Sequence, residues 1–122
     1  MAEELELTSV QRERLQRLTE TMQIDRITVS FSLEGRGADG MKKSAFCSLT
    51  ASKRSEEGAE EGWAEIDAQI ARLLLCKQVV RATYEDAVRR GILSKQVVVG
   101  ELTSILAAYD RAIQRVLSRG DK

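Results

Sequence analysis

Residues 26–52 read RITVSFSLEGRGADGMKKSAFCSLTAS, and the alternation in this stretch decides the fold. Ile27, Val29, Phe31 and Leu33 alternate with Thr28, Ser30, Ser32 and Glu34, the period of two that a half-buried strand requires. A second alternation puts Ala45, Cys47, Leu49 and Ala51 on one face and Ser44, Phe46, Ser48, Thr50 and Ser52 on the other. Gly35, Gly37 and Gly40 lie between the two runs and tolerate positive φ. The spacing predicts a two-stranded antiparallel β-hairpin over 26–52. Its connection is too long for a two-residue turn, so a mobile tip from Gly35 to Lys43 is expected.

Downstream the period changes to that of helices. Trp63, Ile66, Ile70, Leu73, Val80, Tyr84 and Ala87 form one apolar stripe, which Ala71, Leu74, Leu75, Cys76 and Val79 widen. Arg89-Arg90-Gly91 supplies basic residues and a glycine where that helix should stop. Ser94 then caps a second helix, in which Val98, Leu102, Ile105, Tyr109, Ala112 and Val116 recur at alternating steps of four and three, a heptad seam. Val99, Leu106, Ile113 and Leu117 form a further row beside it. The short link at Gly91-Ile92-Leu93 makes the two helices antiparallel neighbours. Upstream, Thr8-Ser9-Val10-Gln11 reads as a capping box opening a helix striped with Val10, Leu15, Leu18 and Met22.

The fold expected is therefore α+β and predominantly helical: an N-terminal helix, a β-hairpin and a long antiparallel helical hairpin. A chain of 122 residues fits one domain over 1–122, with 1–7 a disordered tail, 8–23 helix, 26–52 hairpin and 57–119 helical hairpin.

Composition removes several classes of function. The chain has no histidine, which excludes the usual catalytic triads and H-E-x-x-H sites. Cys47 and Cys76 lack the spacing of a zinc site and read as free thiols, and no cofactor fingerprint is present. The acids Glu56, Glu57, Glu60, Glu61, Glu65 and Asp67 read as a solvated helix start rather than a metal site. Gly91 with its flanking helices matches a helix-turn-helix only in part, because the apolar run 97–99 is unsuited to reading bases. The acidic start at Glu3, Glu4 and Glu6 is unlike a secretory signal, and Arg72, Lys77 and Arg81 interrupt the longest apolar region. A cytoplasmic protein with no catalytic, cofactor or metal residues and no membrane span is expected.

Two surfaces carry the functional expectation. The doubled rows of the last helix need more cover than one neighbour provides, so a homodimer or higher oligomer is expected, centred on Leu74, Leu75, Val98, Leu102, Ile105 and Leu106. Phe46 is the lone aromatic on the polar face of the hairpin, where helix one or a second subunit would cover it. The function expected is a structural or adaptor protein whose open strand edge takes a protein partner by β-augmentation. The alternative is an accessory nucleic-acid binder using Arg36, Lys42, Lys43, Lys53 and Arg54, with Phe46 as a stacking platform. Zero formal net charge favours the first.

Overall fold

The computed structural model describes residues 5–53 and 64–120. In chain order these form α1 (Ser9–Arg14), β1 (Thr19–Met22), β2 (Arg26–Arg36), β3 (Lys42–Ser52), α2 (Glu65–Arg89) and α3 (Lys95–Gly120). The alternation of residues 26–52 produces the expected hairpin, with Arg26 opposite Ser52 and Arg36 opposite Lys42. Ile27, Val29 and Phe31 are fully buried on one face, beside Leu33 and Ala45. Cys47, Leu49 and Ala51 continue that face on β3 and are half-buried.

Helix α2 packs on this row from both β2 and β3, and α3 packs on α2. Four members of its expected stripe form the core, Leu73, Val80, Tyr84 and Ala87 being fully buried with the Phe31 and Tyr84 rings 6.2 Å apart, whereas Ile70 is half-buried and Ile66 is exposed. The seam of α3 buries Val98, Ile105, Tyr109, Ala112 and Val116. The Ser94 hydroxyl accepts the Val97 N–H, as a cap should. With 25 and 26 residues, α2 and α3 outweigh the strands, so the α+β, mainly helical expectation holds.

The sheet has three strands rather than two, and β1 is the addition. The expected helix over 8–23 starts as predicted, with the Thr8 and Gln11 capping box in place, but it ends at Arg14. Residues 19–22 instead pair antiparallel with 30–27 of β2. All four β1 side chains are exposed, so backbone pairing holds this strand more than burial does. Glu20 anchors it by accepting from Arg72 of α2 at 2.8 Å. Val10 and Met22, two members of the expected helical stripe, stay largely exposed. A side chain from each side ties α1 to α3: Gln11 donates to Ser104 at 2.7 Å, and Arg14 pairs with Glu101 at 3.0 Å.

Two further expectations are corrected. Leu5 and Leu7, assigned to a disordered tail, pack partly buried against the core. The hairpin tip is shorter than Gly35–Lys43, because strand pairing continues through Arg36 and Lys42. Only 37–41 connect the strands, closed by the Gly37 N–H donating to the Met41 carbonyl. The expected early start of α2 and its Trp63 lie outside the described residues, as do Glu56, Glu57, Glu60 and Glu61.

The hairpin's far end is fixed by the turn between α2 and α3. There the Ile92 N–H donates to the Ala87 carbonyl and the Gly91 N–H to the Val88 carbonyl, a Schellman closure with Gly91 at φ +75°. Ile92 consequently sits against Gly35, where an added Cβ would stand 2.7 Å from its Cγ2. Gly35→Ala should therefore destabilise the protein by about 1–3 kcal/mol through overpacking. Removing the obstructing methyl with Ile92→Ala in the same chain should recover part of that loss. Urea unfolding of both variants and the Ile92→Ala single variant measures it; independent, additive losses would contradict the contact.

Candidate functional site

Among the described residues, helices cover one face of the sheet and leave the other open. Strand parity places Thr19 and Thr21 of β1 on the open face, with Arg26, Thr28, Ser30, Ser32, Glu34 and Arg36 of β2. Lys42, Ser44, Phe46, Ser48, Thr50 and Ser52 of β3 complete it. Hydroxyls on adjacent strands bond to one another, Thr28 with Thr50 at 3.0 Å and Ser30 with Ser48 at 2.9 Å. Phe46 stands among them at 64% exposure, so α1 does not cover it.

The predicted basic set is divided by this parity. Arg36 and Lys42 face each other across the two strands on the Phe46 side. Lys43 points to the opposite side and pairs with Asp39 at 3.7 Å. Lys53 lies just beyond β3, where its N–H donates to the Asp25 carbonyl at 2.8 Å. Arg54 lies outside the described residues. Even the retained cations are partly occupied: Arg36 donates to the Gly40 carbonyl at 2.9 Å, and Lys42 stands 3.7 Å from Glu34, which Arg17 also contacts.

A second surface is the strand edge. In the order β1-β2-β3, the 11-residue β3 pairs with β2 alone among the described residues, with neither proline nor bulge to blunt it. The opposite edge differs. There β1 covers only 27–30 of β2, and a cleft of about 350 Å³ between α1 and the rest of β2 is lined by Val10, Arg17, Leu33 and Glu34.

The third surface is the outer side of the helix pair. Val99 is 62% exposed, Leu74 43% and Leu117 42%, while Leu102, Leu106 and Ile113 are half-buried. A groove of about 340 Å³ between the helices is lined by Val88, Val98, Val99, Leu102 and Leu106, with Glu85 and Lys95 at its border. This revises the expected interface. Leu75, Val98 and Ile105 are buried within the chain, Val98 at the floor of this groove, whereas Leu74 is exposed and Leu102 and Leu106 are half-buried.

Sequence reading missed one polar cluster, where the buried Cys76 meets the exposed Glu20 of β1. Cys76 Sγ and Arg72 Nη1 both donate to Glu20 Oε1 at 2.8 Å, and the Tyr109 hydroxyl is buried nearby with no hydrogen-bond partner among the described residues. Arg72 and Cys76 are four apart on α2, a spacing that puts a cation beside a thiol on one helix face. That spacing was the available signal for an unseen carboxylate partner. Burial, reinforced by Glu20, pushes the Cys76 thiol well above its ordinary 9.0. The cluster therefore holds a neutral thiol, the opposite of what nucleophilic catalysis needs. Among the described residues no three His, Cys, Asp or Glu side chains converge as metal ligands, and no helix is long and apolar enough to cross a membrane.

Comparison of the chain with protein-family models, with curated proteins and with solved structures finds no match.

The raised acids give the fold a pH dependence. Burial also pushes the Tyr84 and Tyr109 hydroxyls above their ordinary 10.0, helped by Glu101 and by Cys76 respectively. An acid whose pKa rises on folding favours the folded state while it is protonated and loses that contribution once the unfolded chain can ionise. Stability should fall as pH rises beyond about 9, first through Cys76 and then through the tyrosines. Urea midpoints at pH 7.5 and 10.5 test this, and equal values would contradict it. At pH 8 a thiol reagent should label Cys76 no faster than the chain opens, whereas Cys47 should react in the folded protein.

Proposed function

We propose that the chain is a cytoplasmic, non-catalytic adaptor that associates through the outer face of α2 and α3 and offers its sheet to a protein partner. The observation that carries the partner half is β3. Its edge, unpaired among the described residues, runs along an eleven-residue strand whose outward backbone donors and acceptors can take an extended segment by β-augmentation. The half-buried Cys47, Leu49 and Ala51 offer alternate apolar contacts to such a strand, and Phe46 offers a cross-strand neighbour on the other side.

The assembly half rests on the outer helix face. Val99, Leu102, Leu106, Ile113 and Leu117 keep a helical spacing along α3, and Leu74 and Val88 flank them on α2. Two helices of this length present a face about 35 Å by about 18 Å, roughly 600 Å² per copy. That approaches the ~800 Å² per partner of a stable interface, and two copies joined there would form a four-helix bundle. The sheets would then point away from each other, giving a bivalent adaptor whose two edges bind a repeated partner with avidity. Two free cysteines support the cytoplasmic placement, and the absence of histidine with a neutral Cys76 supports a role other than catalysis.

Wild-type protein should sediment as a dimer at micromolar concentration, and Val99→Asp with Leu106→Asp should give a monomer of unchanged helicity. Ile105→Asp should instead unfold the chain, because its side chain is fully buried and a charge there has no partner. A stable wild-type monomer would contradict the assembly half. For the partner half, successive residues of a strand direct their N–H groups to opposite edges. Of Ser48→Pro and Leu49→Pro, one should therefore unfold the protein and the other should fold yet lose the partners that wild type captures from cell lysate. Undiminished capture by the folded variant would overturn β-augmentation.

A further inference from the structure

We propose that the open face of the sheet is a binding site for single-stranded nucleic acid, with Arg36 and Lys42 on phosphates and Phe46 beneath a base. It concerns the face of the sheet, not the β3 edge, and does not rest on the adaptor reading. The first observation is the pairing of Arg36 with Lys42 directly across β2 and β3. Like charges at that position destabilise a hairpin, and a bridging anion converts the cost into an attraction. The nearby acids are already engaged: Glu34 is shared between Lys42 and Arg17, and Asp39 in the turn pairs with Lys43. Arg26 adds positive charge at the other end of the face, where its guanidinium donates to the neutral Gln23 side chain at 2.9 and 3.1 Å rather than to an acid.

The second observation is Phe46. It is 64% exposed on the same face, four residues along β3 from Lys42, which is about 14 Å at the rise of a strand. A phosphate held by Arg36 and Lys42 can thus belong to a strand whose neighbouring base reaches the ring. Stacking on a phenyl face tolerates any base, and Ser32 opposite Phe46, with Ser44, Ser48 and Thr50 beside it, supplies hydroxyl groups to base edges and sugars. A duplex keeps its bases stacked inside, so the ring selects single strands. The same face suits a protein poorly: its centre is hydroxyl rather than apolar, without the desolvated core of a protein interface.

The test is fluorescence anisotropy of a labelled fifteen-residue oligothymidylate, and of a duplex of equal length, across ~0.05–0.2 M salt. Wild type should bind the single strand in preference to the duplex. Phe46→Ala should weaken binding by roughly 5- to 100-fold, and Phe46→Tyr should restore it. Arg36→Gln with Lys42→Gln should flatten the dependence of log affinity on log salt by about 1.4, since each phosphate contact on a single strand contributes about 0.7. Lys43→Gln, on the far side, should leave the slope unchanged. Photocross-linking of wild type to an oligonucleotide carrying 5-iodouracil should place the adduct on Phe46, a readout independent of any variant's folding. Absence of binding at ~0.05 M salt, equal or tighter duplex binding, indifference to Phe46→Ala, or an adduct elsewhere would each overturn the proposal.

Discussion

Everything in this chain depends on α2 having apolar groups on two sides. One side must cover the row Ile27, Val29, Phe31 and Leu33, and the other must receive the α3 seam from Val98 to Val116. Leu73, Val79, Val80 and Tyr84 meet those demands with no exposed surface. A helix buried on two sides can spare few polar positions, and α2 keeps them where they act. Arg72 holds Glu20 of β1, Lys77 holds Asp110 of α3 at 2.7 Å, and Arg81 and Glu85 face water. The N-terminal segment is secured by the same logic, through Gln11 and Arg14 to α3 and Glu20 to α2.

What the sequence made legible follows from which residues report burial. A strand buried on one face writes its own alternation, so β2 and β3 could be read nearly to their ends. The same is true of a cap: Thr8 and Gln11 mark a helix start because their side chains replace missing backbone partners. Strand β1 was hidden because none of its side chains is buried, leaving no pattern beneath a segment whose leucines and methionine also fit a helix. Tertiary pairing along β2 overrode that local preference.

The surfaces were harder for a related reason. Heptad spacing shows that a row is buried but not by what, so Val98 and Ile105, which α3 turns inward, were indistinguishable from contacts with a second copy. Exposure separates them from Val99 and Leu117. Likewise a run of cations says nothing about faces until strand parity is known. Lys42 and Lys43 are adjacent in sequence and opposed in space, and only the former joins Arg36 and Phe46. The three surfaces are distinct in chemistry: an apolar helix face, a backbone edge and a hydroxyl face with cations at its ends.

The proposed arrangement, helices inward and sheets outward, is tested most directly by the distance between equivalent points on the two sheets. A nitroxide at Ser48→Cys in a Cys47→Ala background places one spin label on the open face of each copy. Sheet-to-helix, helix-to-helix and helix-to-sheet spacings of about 10 Å each put the labels about 30 Å or more apart in a helix-joined dimer. Pulsed dipolar spectroscopy should report that separation. A distance below about 15 Å, as for β3 paired with β3 of a second copy across neighbouring strands about 5 Å apart, or no coupling between labels at all, would contradict it.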